Sequence, residues 1–221
     1  MRGFTGEANV DETNVKKPGT AIVWKLGLPV SEVFSVIQNR GQSIKVGDRR
    51  YLNIYAPSGG GLKKQERREF FGGDVFRQVR SLGNTIPVLV GDFNSVISPL
   101  DCEDRFVDKK SPALLGLVNG FNYVDAFRYL HPREREYTFF RPSCTPSRLD
   151  RVYIHRGSGQ DVLSVAHGPS IADHRYVVVV LDQRLHGVVG GDGGENSGGV
   201  RSLYWKLNNS ILKSEDFFAL F

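Results

Sequence analysis

The chain has 221 residues, of which 40% are hydrophobic and 24% are charged. This is enough apolar material for one domain of ordinary to large size, and it excludes general disorder, collagen-like repeats and coiled coils. The longest apolar run, residues 176–181, is far shorter than the roughly 20 residues of a membrane-spanning helix. With two cysteines and no apolar signal region at the start, the sequence predicts a soluble intracellular protein with no membrane partner.

The formal net charge of +5 favours an anionic partner, because a cationic surface raises the local concentration of phosphates. Many of the basic residues lie in residues 45–68 and 133–156. Acidic residues are interleaved with them in both stretches, so ordinary solvated faces explain the charge equally well.

Short strands dominate the first half of the chain. Residues 1–19 are polar and lack periodicity, so we expect an irregular N-terminal remnant. Strands are predicted at residues 20–25, 33–38, 42–46, 51–55 and 86–91. Between the last two, Phe71, Val75 and Val79 share one face of a predicted helix, which the Gly72-Gly73 pair should weaken or kink.

The second half mixes strands and helices. Ser111 and Pro112 supply a cap and a first-turn proline for a helix that stops at Gly120, and a second short helix is predicted near residues 124–130. Further strands are predicted at residues 137–140, 148–154, 162–166 and 175–181. Because strands and helices do not alternate regularly, we predict the α+β class, with a two-layer β-sandwich flanked by helices over residues 20–182.

The C-terminal part has a different composition. Residues 183–200 are rich in glycine, which predicts a flexible linker. Residues 201–221 predict an amphipathic helix with several exposed aromatic side chains. Such a terminus suggests a chain that continues, or a missing partner surface.

Polar side chains suited to phosphodiester hydrolysis recur at the predicted strand ends. This hydrolysis needs a hard cation, a carboxylate that orients or deprotonates water, and positive groups near the phosphoryl oxygens. The candidates are Tyr55, Asp92, Asn94, Asp150 and the pair Asp173-His174. Each alone has an ordinary structural explanation, such as a turn stabilised by its own side chains for Asp92 and Asn94. Their order along the chain favours one shared site.

Several motifs occur together, namely Asn53-Ile54-Tyr55-Ala56-Pro57, Gly91-Asp92-Phe93-Asn94 followed by Pro99-Leu100-Asp101, Tyr137-Thr138-Phe139, Ser147-Arg148-Leu149-Asp150-Arg151 and Asp173-His174. As a set they resemble the endonuclease/exonuclease/phosphatase superfamily and, more narrowly, the apurinic-endonuclease-like domain of non-LTR retrotransposons. The segment Tyr204-Trp205-Lys206-Leu207-Asn208 also looks like the part of such polyproteins that precedes a reverse transcriptase.

The resemblance implies an active site at one edge of the sandwich and assigns roles to its residues. Asp92 would orient and activate the attacking water, and Asn94 would hydrogen-bond this water or a phosphate oxygen. Asp150 would hold His174, whose imidazolium would stabilise charge on the phosphoryl group. Tyr55 would donate its hydroxyl to the scissile phosphate.

The resemblance also implies a cofactor and a partner. Mg²⁺, with Mn²⁺ as an alternative, would lie near or on Asp173, and no small-molecule cofactor is expected. DNA would be the partner, which suits a nuclear location. Arg148, Arg151 and Thr138 are candidate contacts to the DNA, although salt bridges to nearby acids explain the two arginines equally well.

Some features of the family are expected to be missing. The family begins with a strand that bears an Asn and a second strand that ends in a Gln-Glu-Thr type motif, whose Glu is a principal metal ligand. Asp11-Glu12-Thr13 is only faintly similar, and we interpret this similarity as coincidence. Ala172 replaces the serine that is common before the Asp-His pair. We therefore expect a domain without its first strands and with weakened Mg²⁺ binding.

Three functions are compatible with these features. The first is a Mg²⁺-dependent DNA endonuclease that nicks retrotransposon target sites, with activity impaired by the missing Glu and Asn. The second is a non-catalytic nucleic-acid-binding remnant. The third is a phosphatase of the same superfamily, which the segment Tyr204-Trp205-Lys206 and the Asp-Phe-Asn form of the motif disfavour.

Overall fold

The computed structural model describes residues 3–11, 13–14, 17–103, 110–142, 144–182 and 202–205. Most elements in these ranges are strands. They are β1 (Phe4–Asn9), β2 (Thr20–Lys25), β3 (Val30–Ile37), β4 (Gly41–Val46), β5 (Arg49–Tyr55), β6 (Val88–Asp92), β7 (Tyr123–Asp125), β8 (Phe139–Arg141), β9 (Cys144–Ser147), β10 (Asp150–His155), β11 (Val162–Ile171), β12 (His174–Leu181) and β13 (Ser202–Trp205).

The helices are short. They are α1 (Leu62–Glu69), α2 (Phe76–Ser81), α3 (Pro112–Gly120) and α4 (Ala126–Leu130). A π-helical turn, Phe70–Val75, joins α1 to α2, so the predicted Gly72-Gly73 irregularity is a widened turn within a continuous helical segment. Ser111 caps α3 by accepting a hydrogen bond from the Leu114 N–H, as the sequence predicts. In the ranges given above, no helix has both the length and the apolar character needed to cross a membrane.

Two sheets form the body of the domain. The larger has the strand order β3-β4-β5-β6-β10-β7, and the smaller has the order β11-β12-β8-β9 with β13 paired to β12. Strands β5 and β6 are parallel, which requires a crossover, and the segment from α1 to α2 supplies it. The other pairs within the larger sheet are antiparallel.

Both faces of the larger sheet are buried, and alternate residues of its strands enter two separate cores. The intersheet core lies between the two sheets and includes Val90, Val152, Val177 and Val179. The helix-side core includes Leu89, Tyr153, Phe71, Val79 and Leu114. The predicted α+β class, with a β-sandwich flanked by helices, is therefore confirmed.

A glycine lies at the closest approach of β5 and β6. Gly91 is paired with Ile54 in the parallel register and has a φ of +128°. A Cβ at this position would lie 2.0 Å from the Ile54 carbonyl oxygen. Only glycine fits here, directly before Asp92.

The expectation that residues 1–19 are irregular is wrong for part of that stretch. Residues Phe4–Asn9 form a strand that pairs with β2 along its whole length. Every residue of β1 except Asn9 is exposed, so the strand is held by backbone hydrogen bonds and shows no apolar periodicity. The Asn9 side chain anchors the strand by donating to the carbonyl oxygens of Ile37 and Gly41 at 2.9 and 3.1 Å.

The predicted helix at residues 201–221 is also wrong where the structure describes it. Residues Ser202–Trp205 form β13, which pairs antiparallel with residues 177–180 of β12. β8 pairs with β12 at His174, so the backbone groups of residues 177–180 on that side of β12 remain available for a further strand. The remainder of that prediction and the linker at 183–200 lie outside the described residues. The division into domains and the absence of the first strands stay predictions.

Candidate active site

Asp92 and Asn94 are hydrogen-bonded to each other at the end of β6. The Asp92 carboxylate accepts hydrogen bonds from the Asn94 backbone N–H at 2.8 Å and from its side-chain amide at 2.9 Å. The same amide donates to the Ala56 carbonyl oxygen at 2.9 Å. Asn94 has a φ of +44°, a conformation that asparagine tolerates better than most residues. The turn thus orients both side chains.

Asp150 and His174 form a second pair that joins the two sheets. Asp150 begins β10 and lies opposite Asp92 in the antiparallel register. His174 begins β12 in the other sheet, and its Nδ1 lies 2.8 Å from an Asp150 carboxylate oxygen. The Phe139 ring contacts the imidazole edge-on at a centroid distance of 5.0 Å. Asp150 therefore holds His174 in place, as the sequence predicts.

These pairs meet in one cluster. The ligand-type atoms of Asp92, Asp150 and His174 all lie within 4.8 Å of one another, and the three side chains are buried. Tyr55 is the register partner of Asp92 across β5 and β6. Four chain segments that are far apart in sequence thus contribute polar groups to one edge of the sandwich.

The electrostatics of the cluster favour a proton on His174 and disfavour a charge on Asp92. Burial lowers the pKa of His174, but the hydrogen bond and charge of Asp150, with the charges of Asp92 and Asp173, outweigh burial and raise it to about 9. Burial and the neighbouring Asp150 carboxylate raise the pKa of Asp92 to about 7. The cluster therefore combines a cation with a carboxylate that can accept a proton near neutral pH.

Tyr55 lies beside the cluster. Burial and the charge of Asp92 raise the pKa of Tyr55, while a hydrogen bond with Ser58 lowers it. Its hydroxyl is therefore protonated at neutral pH and able to donate a hydrogen bond.

Two arginines near the site were not predicted from the sequence. The Arg40 guanidinium lies 5.5 Å from the centroid of the Tyr55 ring and donates to the Tyr55 carbonyl oxygen at 3.1 Å. Arg67 donates to the carbonyl oxygens of Pro57 and Gly59 at 2.8 and 2.7 Å, and its charge interacts with Asp92. Neither lies in a recognisable motif. The turn residues after Tyr55 supply the carbonyl oxygens that Arg67 binds, but their sequence does not indicate which arginine reaches them.

Arg148 and Arg151 are not surface contacts for DNA, and that prediction is wrong. Both side chains are at most 2% exposed. Arg148 lies 2.8 Å from Asp101 and 2.6 Å from Asp125, and Arg151 lies 3.3 Å from Asp101. Buried charges need such partners, so these arginines connect β10 to the turn at Pro99–Asp101 and to the start of α4.

Thr138 is also misassigned as a DNA contact, because it is completely buried. Its hydroxyl oxygen accepts hydrogen bonds from the backbone N–H groups of Leu149 and Asp150, both at 3.0 Å. Thr138 thus positions the backbone that carries Asp150.

Asp173 does not belong to the group of three metal-type ligands within the described part of the chain. It is partly exposed, and its charge raises the pKa values of Tyr55 and His174.

The Asp11-Glu12-Thr13 segment near the N-terminus is described only in part. The Asp11 carboxylate accepts a hydrogen bond from the Thr13 hydroxyl and pairs with Lys17, whereas Glu12 lies outside the described residues.

Solved structures share this architecture. An AP endonuclease from Archaeoglobus fulgidus superposes with a TM-score of 0.69 at 18% identity, covering 81% of this chain and 80% of that chain. A 3′ phosphatase from Neisseria, NExo, bound to a product DNA hairpin, has a TM-score of 0.67 at 21% identity with the same coverage. The chain adopts the endonuclease/exonuclease/phosphatase fold. The fold that the sequence motifs imply is therefore confirmed.

One curated relative connects this endonuclease/exonuclease/phosphatase fold to a mobile element. The transposon TX1 uncharacterized 149 kDa protein of Xenopus laevis is 29% identical over 197 residues, which cover 83% of this chain. The match spans 14% of that protein. No protein-family model matches the sequence. The predicted resemblance to a transposon-encoded protein is thus confirmed.

Proposed function

We propose that this protein is a DNA endonuclease that hydrolyses a phosphodiester bond with the help of a divalent cation. The observation that carries the proposal is the meeting of the Asp150–His174 pair with Asp92 and Asn94 in one buried cluster. The names of the similar proteins support it, since they include an AP endonuclease, an enzyme bound to product DNA and a transposon protein.

Asp92 would accept a proton from the attacking water. Its raised pKa makes it a better base near neutral pH than an ordinary aspartate. Asn94 keeps this carboxylate oriented through two hydrogen bonds. Water held beside the Asp92 carboxylate would be directed towards a phosphorus atom at the mouth of the cluster.

His174 and Tyr55 would stabilise the phosphoryl group. His174 is protonated at neutral pH because its pKa is about 9, and its Nδ1 is engaged with Asp150. The other ring nitrogen therefore carries a proton that can be donated to an oxygen on which negative charge develops. The Tyr55 hydroxyl would supply a second donor to the same phosphate.

The donor set suits a hard divalent cation. Asp150 offers carboxylate oxygens, the ligands that Mg²⁺ and Mn²⁺ accept, and its ligand atom lies within 4.8 Å of those of Asp92 and His174. Asp150 would hold the ion, with Asp173 as a further candidate ligand, which leaves the Asp92 carboxylate free to accept a proton. When bound, the cation would neutralise charge on the phosphoryl oxygens.

Nicking of supercoiled plasmid tests the proposal. Purified protein should nick plasmid in Mg²⁺ and lose this activity in EDTA, whereas Asp92→Asn and His174→Asn should lower the rate by about 100-fold or more, because each removes a group that acts in the transition state. His155→Asn is the control, since Asn also caps the turn that His155 caps. Nicking by His174→Asn at the wild-type rate would contradict the assigned mechanism. DNA binding without any cleavage by the wild-type protein would instead support the non-catalytic alternative.

A further inference from the structure

The surface contains a basic groove between α1 and α3. Its first cavity has a volume of about 480 Å³ and is lined by Lys64, Arg67, Arg68, Lys110 and the start of α3 at Ser111 and Ala113. Four of these side chains are cationic and none is acidic. In the part of the chain that the structure describes, neither Lys64 nor Arg68 forms an ion pair with an acidic side chain. A cavity of this composition suits an anionic ligand.

The groove continues along the helical segment. A second cavity of about 1060 Å³ shares Lys64, Arg68 and Ala113 with the first and extends past Gly72 to Arg77. Its lining also includes two acidic residues, Glu69 and Asp74, and Asp74 pairs with Arg77 at 2.6 Å, so the cations free to meet a phosphate lie at the Lys64 and Arg68 end. Ten residues separate Arg67 from Arg77, which corresponds to about 15 Å at 1.5 Å per residue. This length matches about four nucleotides of one DNA strand at 3.4 Å each. The shape therefore suits a polyanionic strand better than a single small anion.

Arg67 connects one end of the groove to the loop that follows Tyr55. It lines the first cavity and interacts electrostatically with Asp92. A strand lying in the groove would therefore lead towards the cluster of Asp92, Asp150 and His174.

The floor of the groove lacks side chains where the π-helical turn widens. Gly72 is exposed, has no positive φ, and a Cβ there would meet no atom within 4 Å. Packing and backbone conformation therefore do not require glycine, although glycine in a helix costs about 1 kcal/mol relative to alanine. A bare backbone at this point leaves room for a sugar-phosphate chain to approach.

From these observations we infer that the groove between α1 and α3 binds the phosphate backbone of one DNA strand beside the scissile phosphate, with Lys64 and Arg68 as its main phosphate contacts. The inference rests on the proposed function for the position of the scissile phosphate. It assigns to surface residues of α1 the DNA contact that the sequence had assigned to Arg148 and Arg151.

Fluorescence anisotropy with a labelled DNA duplex in EDTA tests the inference without cleavage. The double variant Lys64→Ala/Arg68→Ala removes two charges from the groove, and Lys25→Ala/Arg80→Ala removes two exposed charges elsewhere. The slope of log K against log salt should fall by about 2 in the groove variant, or about 0.9 for each lost phosphate contact. Binding at low salt should weaken roughly tenfold or more, whereas the control should keep the wild-type slope.

The outcomes separate this inference from the proposed function. If the groove variant keeps the wild-type salt slope, or if the control loses as much, the groove is not the strand-binding surface, even where the wild-type protein nicks plasmid. If the groove variant alone loses slope while the wild-type protein fails to nick, the groove inference holds and the proposed catalytic function falls. Circular dichroism melting of both variants checks that these exposed substitutions leave the fold intact.

Discussion

At the scale of single residues, His174 and Asp92 acquire complementary protonation states from one shared environment. Burial alone would make both side chains neutral. The Asp150 carboxylate, 2.8 Å from His174, reverses this effect for the imidazole and reinforces it for Asp92. The Asp150 carboxylate thus favours a protonated His174 and an Asp92 that can accept a proton. Acid-base chemistry at a phosphate requires both an acid and a base of this kind.

The raised pKa of His174 predicts a pH-dependent contribution to stability. A histidine whose folded pKa exceeds its unfolded value stabilises the protein fully below pH 6.5, and this contribution is lost as the pH rises through about 9. His174→Asn should therefore lower the free energy of unfolding by about 2–3 kcal/mol at pH 6. The difference from the wild-type protein should shrink towards pH 10. Urea denaturation in EDTA at several pH values measures it.

The control for this pH series is His131→Asn, because His131 lies outside the cluster and pairs with Glu134. It should lower the free energy of unfolding at pH 6 by less than His174→Asn does, because its partner Glu134 is exposed to solvent. A constant stability difference between pH 6 and pH 10 for His174→Asn would show that the Asp150 contact does not raise the pKa of the imidazole.

At the scale of elements, the parallel pairing of β5 with β6 places Tyr55 beside Asp92. This pairing depends on Gly91, where a Cβ would collide with the Ile54 carbonyl oxygen. The two strands cannot move apart freely, since both of their faces are packed against cores. The register that places Tyr55 beside Asp92 therefore depends on the close approach of the Gly91 and Ile54 backbones.

Gly91→Ala should destabilise the protein by about 3 kcal/mol or more, because it adds a steric clash to an unfavourable positive φ. Urea denaturation measures the loss. The matched control is Gly116→Ala within α3, where a Cβ meets no atom within 4 Å. That change should stabilise the protein by about 0.5–1 kcal/mol, as expected for alanine in a helix. Equal effects of the two substitutions would contradict the close-approach explanation.

At the scale of the whole molecule, the site exists only where the two sheets pack together. Asp92 and Asp150 come from the larger sheet and His174 from the smaller, and the intersheet core keeps the two in contact. The helix-side core stabilises the same fold but touches only one of the sheets. Damage to the two cores should therefore have different consequences for the site.

Val177→Ala and Val79→Ala test this difference. Both remove two methyl groups from a buried valine, and each should destabilise the protein by about 2 kcal/mol. Val177→Ala should also lower the nicking rate about 3- to 10-fold, because a small displacement of His174 disturbs the alignment of reacting groups. NMR titration of the His174 imidazole should show a lowered pKa in this variant. Wild-type nicking and titration in Val177→Ala would show that intersheet packing does not position the site.

Local signals were sufficient for much of the fold. The apolar run before Asp92 and the valine-rich run of β12 predict buried strands, since β-branched residues pack well on a pleated surface. The cap and first-turn proline at Ser111 and Pro112 predict the start of α3. By contrast, β1 was not predicted, because its exposed residues have no apolar pattern. In addition, the strand that pairs with it, β2, begins eleven residues after the end of β1.

The sequence by itself determined the strand-rich α+β class, the motifs of the endonuclease/exonuclease/phosphatase fold and the identity of the clustered residues, because each follows from residue types within a short stretch. Only the tertiary structure decided which charges reach solvent. Arg148 and Arg151 are buried because Asp101 and Asp125, at least 23 residues away along the chain, fold back to neutralise them. Lys64 and Arg68 remain exposed in a groove because the crossover segment packs on the sheet through Phe70, Phe71 and Val75 instead. The burial and ion pairing of a charged side chain depend on contacts between segments that are distant in sequence. A local sequence pattern therefore cannot predict them.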